Sequence, residues 1–335
     1  MKNFLKEQKK VLISLIIGII LILIWLKFVD IEQMWQYLKN VNLFWVLISS
    51  IFYLLAYFIR SLRWKVILNP VVKTSVKEIF TLFMSGMLIN YIVPIRVGEL
   101  AKGYFLKKNR DIPMAQSLPT IFFDKMMDLM PVLLLFILIP FIGGDINQIM
   151  LKILNIVLVI FIIFVVIIIF CLVKKEYASA ILKFFFIWLP KKIKTQVNSF
   201  IEKFVDGMKV IKNHKIIFLA VVLTIVAILF DTLYMVTMFK AFNYNIALLI
   251  ALFGYTLINL SYILPTPPAQ IGSNEAIFIV IFTFAFGIDK NLVSATLGFA
   301  HLITATLIFL VGIISLNTLS LSFKQVFSLN YKDSK

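Results

Sequence analysis

Cysteine and histidine are almost missing: Cys171 is the one thiol, and His214 and His301 are the two imidazoles, in 335 residues. A lone thiol at the end of an apolar run excludes an intramolecular disulfide and a cysteine metal cluster. The two histidines lie far apart in sequence, so they read as one surface and one packed residue, and no metal is expected. Charge is scarce too, at 15% of the chain, and acid scarcer still, with 16 Asp and Glu against 33 Lys and Arg. A Gly-rich phosphate loop ending in Lys-Ser or Lys-Thr is missing, so neither ATP hydrolysis nor a nucleotide cofactor is expected.

What remains is apolar. Hydrophobic residues make up 61% of the chain, Phe alone numbers 33, and the mean hydropathy is +1.01. A soluble domain of this length has no use for several apolar runs of bilayer-spanning length, so the composition defines an all-α polytopic membrane protein. The net charge of +17 invites a nucleic-acid reading, but the distribution of the charges rejects it. The basic residues cluster between apolar runs, as orientation signals do.

In order, an apolar run from Val11 to Leu26 reads as a signal anchor, since no small-residue cleavage site follows it. A second span from Leu43 to Ile59 is closed by Arg60, Arg63, Lys65, Lys73 and Lys77, which assigns that end to the cytoplasm. Residues 79–106 are apolar but interrupted, with basic residues at both ends, and read as a re-entrant hairpin with its tip near the midplane. Asp111 is expected to cap a segment that runs to Gly143 and Gly144, bent by Pro119, Pro131 and Pro140. Asp124, Lys125 and Asp128 share one face of it, as a pathway group or as a salt-bridged patch at the rim.

A span from Ile149 to Val173 then leads to residues 174–215, where Ile193, Val197, Phe200, Phe204, Met208 and Ile211 form an apolar stripe opposite lysines. That pattern fits a helix lying on the anionic inner leaflet. Ile216 to Phe239 is a further span with a lone Asp231, residues 257–278 form a second interrupted run, and Leu292 to Leu316 is the last span. The expected total is about six full transmembrane helices plus two re-entrant broken-helix hairpins, with both termini cytoplasmic.

The two interruptions carry the chemistry. In LINYIVPIRVGELAK, Pro94 removes an amide and Gly98 permits close backbone approach, so the helix breaks beside Arg96 and Glu99. Ionisable groups at membrane depth mark a site, with each as the other's expected partner; the bland reading places both at the cytoplasmic rim with Lys102, Lys107, Lys108 and Arg110. LIN recurs at 257–259, before Pro268, Gly272 and Glu275. Span, broken hairpin, span occurs in residues 43–144 and again in 216–316, with one span between to invert the second unit. Inverted repeats with discontinuous helices are the architecture of alternating-access transporters, with the substrate where the breaks meet.

Three stretches resemble the signatures of the lysylphosphatidylglycerol synthase transmembrane region, the flippase-like family. They are Asn90, Pro94, Arg96, Gly98, Glu99 and Lys102 in the first break, Asp124, Lys125 and Asp128 in DKMMD, and Pro265, Thr266 and Pro267 followed by Gly272 and Glu275 in the second. The resemblance runs from about Val11 to Leu316. Lys102 and Lys125 stand where that family usually has arginine, and Pro268-Ala269 where it usually has Gly-Gly.

The resemblance implies movement of a phospholipid or polyprenyl-linked glycolipid between leaflets of the cytoplasmic membrane, through a site built from these residues. Arg96 would grip a phosphate bidentately while Glu99 and Glu275 hold a cationic head group or balance the charge. The expected partners are membrane lipids and the anionic inner leaflet, with a homodimer left open. A lipid-modifying transferase, or an accessory protein of glycolipid modification, is the alternative. A transferase would need a nucleotide or aminoacyl-carrier site, and a scaffold protein would leave the charged breaks without a purpose.

Overall fold

The computed structural model describes residues 19–20, 22–93, 97–131, 213–261 and 267–319, together with scattered helical positions between 152 and 166. Pro94, Arg96, Pro265, Cys171, the amphipathic stripe in 174–215 and most of the first apolar run lie outside the described residues. Among the described residues the fold is wholly helical, without strands.

Short polar side chains set the helix starts. Asp30 accepts amide hydrogen bonds from Glu32 and Gln33 to open α1 (Ile31–Lys39), and Asn42 caps α2 (Leu43–Leu68) through the amide of Phe44. Ser75 accepts from the Glu78 amide at the start of α3 (Val76–Ile92), in the Ser-x-x-Glu pattern of a capping box. Asn213 and Asp289 do the same for α6 (His214–Ala241) and α9 (Lys290–Thr318).

Helices α2, α6 and α9 are long and apolar enough to cross a membrane. Their outer faces stay uncovered: Phe218, Leu302 and Ile314 are 67%, 68% and 64% exposed. In water that much apolar surface would drive aggregation; in lipid it is the solvent-matched face. The inner faces are lined by small residues. Ser49 and Ala56 on α2 and Ala220, Thr224 and Ala227 on α6 are all buried, and these two antiparallel helices pack against each other along their length. The Ser49 hydroxyl donates to the Tyr234 carbonyl at 2.9 Å, and at the far end the Asn42 amide donates to the Ala241 carbonyl at 2.8 Å.

Between the long helices the chain is broken twice. Helix α3 ends at Ile92, and α4 (Gly98–Arg110) begins after the Pro94 region. Helix α7 (Leu248–Ser261) precedes a 3₁₀ turn at Pro268–Gln270, the short α8 (Ser273–Phe278) and a π-helical stretch, Ile279–Ala285. Helix α3 packs on α4, α2 and α9, and Leu88 sits against Gly312 where α3 crosses α9.

Three local expectations are corrected. The second span does not end at Ile59: α2 continues to Leu68, so Arg60, Arg63 and Lys65 belong to the helix. Asp111 is not an N-cap but the left-handed C-cap of α4, with φ of 54°, and α5 (Met114–Met127) starts from Pro113 without a side-chain cap. Aspartate tolerates left-handed backbone, so one residue type serves both ends of helices and sequence alone does not separate them. The segment expected to run on to Gly143 is interrupted, since α5 ends at Met127 with Asp128 as its C-cap; Pro119 lies inside α5.

Candidate functional site

The first break is tied together by Asn90. Its Oδ1 accepts the Gly98 amide at 2.7 Å, which caps α4 from across the break, and its Nδ2 donates to Glu99 Oε1 at 3.3 Å. Gly98 is required by contact: a Cβ there would overlap the Gly86 carbonyl and the Asn90 side chain. Glu99 Oε2 lies 2.5 Å from Lys102 Nζ. The Lys102 ammonium is almost wholly buried, with its remaining faces against the rings of Trp64 and Phe83, 5.0 and 4.5 Å from their centroids. A carboxylate on one side and π-faces on the other compensate the desolvation of the cation.

A second network joins α2, α5 and α6. Arg63, 1% exposed, donates from Nε to Asp124 Oδ1 at 2.7 Å, from Nη2 to the Asp124 carbonyl at 3.0 Å and to Asp128 Oδ1 at 2.6 Å, and from Nη1 to Thr224 Oγ1 at 3.2 Å. Arg60 grips both oxygens of the Asp231 carboxylate and stacks on Tyr57. Lys125 Nζ reaches Asp128 Oδ2 at 3.0 Å. Each of the cations Arg60, Arg63, Lys102 and Lys125 therefore holds at least one of the carboxylates Asp231, Asp124, Glu99 and Asp128, and Arg63 and Lys125 share Asp128.

At the second break Ala269, Gln270 and Gly272 all have positive φ, at 52°, 60° and 78°. A left-handed backbone is free for glycine and strained for alanine, which gives a physical reason for a glycine preference at position 269. The turn points the Ala269 carbonyl at His301 on α9, 2.8 Å from Nε2, and the other ring nitrogen lies 2.6 Å from Glu275 Oε1. His301, expected as a packed residue, is packed and also ties two elements together.

Most of these groups converge on one cavity of about 100 Å³, while Arg63, Thr224 and Asp231 line a smaller one that shares Arg60 and Asp128 with it. Asn90, Glu99, Lys102, Asp124, Lys125 and Asp128 line the first cavity, joined from the second break by Gln270, Asn274 and His301. An aromatic wall of Tyr53, Tyr234 and Tyr255 closes one side, with ring centroids 5.3 and 6.1 Å apart in turn. Gly98 and Glu275 stand behind this lining, held to Asn90 and His301; Pro267 is buried and Gly272 forms the turn that opens α8. Sequence reasoning missed Arg60, Arg63, Asp231 and His301 as site residues. Asp231 was the available signal, because a carboxylate inside an apolar span demands a cationic partner.

An integral membrane protein is thus defined: membrane-length helices with apolar outer faces, around a polar cavity built at two helix breaks. The chain belongs to the family of the lysylphosphatidylglycerol synthase TM region, which it matches over residues 11–312. It is similar to a UPF0104 membrane protein of Methanocaldococcus jannaschii, with 25% identity over 316 residues that cover 91% of this chain and 93% of that one. A UPF0104 membrane protein of Methanothermobacter thermautotrophicus is 20% identical over 316 residues, covering 90% and 93%. No solved structure matches the chain.

Proposed function

We propose that the protein is a lipid transporter of the cytoplasmic membrane that moves a phospholipid or a polyprenyl-linked glycolipid between leaflets. The observation that carries this reading is the cavity, in which residues from both helix breaks face one another among helices whose outer surfaces suit lipid. A head group crossing hydrocarbon needs such a polar, protein-lined place. Tyrosine hydroxyls and carboxamides around the cavity supply neutral donors and acceptors for sugar or glycerol oxygens. Arg60, Lys102 and Lys125, the described Lys and Arg residues that line the cavity, already hold carboxylates, so the phosphate is assigned to Arg96 in the first break, with Glu99 and Glu275 balancing charge.

In this reading residues 43–144 and 216–316 are inverted repeats. The breaks are the tips of re-entrant hairpins, about six helices span the bilayer, and both termini are cytoplasmic. Exchange between two packings of the repeats would open the cavity to each leaflet in turn. The test is a leaflet-resolved assay in proteoliposomes holding the purified protein, with fluorescent or isotope-labelled phospholipid and polyprenyl-phosphate sugar offered separately. Faster leaflet equilibration of one class than in protein-free vesicles supports the proposal. Unchanged rates for both classes, with folded protein in the vesicles, overturn it.

A further inference from the structure

The two contacts of His301 count protons. A carbonyl oxygen such as that of Ala269 only accepts, so Nε2 must carry the hydrogen of the 2.8 Å contact. A neutral imidazole then has a bare Nδ1, and an ionised Glu275 also only accepts, yet these two atoms lie 2.6 Å apart. The other neutral tautomer moves the same mismatch to the Ala269 side. The geometry has a place for one proton beyond neutral histidine and ionised glutamate, on Nδ1 or on Oε1.

We propose that His301 and Glu275 form a proton-binding site whose occupancy fastens the second helix break to α9. Taking up one proton from water changes the net charge of the pair from minus one to zero and creates the Nδ1 to Oε1 hydrogen bond. Releasing it leaves one bare ring nitrogen facing an acceptor, at Nδ1 against Glu275 or at Nε2 against the Ala269 carbonyl, and either loss unfastens one of the two ties between the second break and α9. Both elements the proton joins contribute to the cavity: His301 lines it from α9, and Asn274, next to Glu275, lines it from α8. Proton release is thereby linked to the shape of the cavity, and low pH favours the conformation described here. As a coupling device this inference rests on the transport reading; as a proton site it stands on the geometry alone.

Among the described residues, the surroundings leave this pair as the group whose charge state changes. Tyr91 of α3 lies edge-on to the imidazole, 6.3 Å between centroids. Across the cavity stand Tyr53 of α2, Tyr234 of α6 and Tyr255 of α7, which are neutral at physiological pH, and the Glu99–Lys102 pair of α4, whose charges cancel. The Arg60, Arg63 and Lys125 pairs with Asp231, Asp124 and Asp128 are likewise balanced.

Glu275→Gln provides a sharp test, because a carboxamide can donate to Nδ1 of neutral His301 and so mimics the proton-loaded pair without titrating. The experiment pairs histidine-selective NMR titration of the purified protein with lipid movement measured with and without a transmembrane pH difference. Wild type is expected to show a titrating His301 signal and a severalfold response of lipid movement to the gradient. Glu275→Gln is expected to retain the fold, lose the coupled titration and lose the gradient response; His301→Gln should lose the response as well. A wild-type His301 signal that titrates identically in Glu275→Gln overturns the proton site, and gradient-independent lipid movement overturns its coupling role while leaving transport intact. Titration without any lipid movement supports the proton site and sinks the transport reading instead.

Discussion

Arg63 and Asp124 face each other at 2.7 Å, 1% and 4% exposed, from helices 61 residues apart in sequence. Neither charge has water to fall back on. Truncating Arg63 to Ala is therefore expected to destabilise the protein by about 3–5 kcal/mol, because it strands the Asp124 carboxylate. Replacing both by apolar residues of similar volume should recover most of that loss. Thermal unfolding of the detergent-solubilised variants measures both; equal stability of Arg63→Ala and wild type would rule out the buried pair.

Asn90 holds the first break by accepting from Gly98 and donating to Glu99. Asn90→Ala leaves the Gly98 amide without its cap and is expected to cost about 1–3 kcal/mol. Asn90→Asp keeps the acceptor but sets a second carboxylate beside Glu99, and should impair lipid movement more than stability. The unfolding midpoint and transport rate of the two variants separate these effects.

Glu99→Gln removes the charge partner of Lys102 but leaves the ammonium over Trp64 and Phe83. Folded protein is expected to persist, supported by the ring contacts, while lipid movement is lost. An Asp289→Asn control alters only a cap of α9 and should transport normally. Equal transport by the two variants would remove Glu99 from the pathway.

Ala269 occupies left-handed backbone with φ of 52°. Ala269→Gly relieves a strain of about 1–2 kcal/mol and restores part of it as chain entropy, so a net stabilisation of up to about 1 kcal/mol is expected. A rise in the unfolding temperature checks it. A fall would show that the alanine methyl contributes packing that outweighs the strain.

Outside the three membrane-length helices, Arg110 hydrogen-bonds Glu78 through Nε and Nη2 at 2.7 and 2.6 Å, and holds its carboxyl below the usual carboxylate range. A depressed folded-state value means stabilisation that is present at neutral pH and is lost as pH falls through it. Glu78→Gln should flatten the acid side of the stability profile slightly, given how exposed Arg110 is. A profile with unchanged acid slope would count against the pair.

The helical membrane class was legible from composition, and the first break from Pro94 and Gly98, because both signals are local. Six of the expected site residues, from Asn90 to Asp128, line one cavity: each group was legible because it sits beside a break or on one turn of helix, and the packing of α4 on α5 brings the two groups together. Arg60 and Arg63 were read as orientation signals, since a basic residue at the end of an apolar run looks alike whether it meets water or a buried aspartate. His301 looked like a packed residue because its partners, Ala269 and Glu275, lie 32 and 26 residues away.

Sequence by itself determined that charges placed in apolar helices must have partners, because an unpaired charge in low dielectric is too costly to keep. It also determined that the chain breaks near Pro94, because proline and glycine act within a turn of their position, but not the ends at Leu68, Asp111 and Asp128. Which charge meets which was decided by tertiary structure alone. Arg60 finds Asp231 across 171 residues because small side chains let α2 and α6 pack closely in antiparallel alignment, and that crossing sets the register of everything between them.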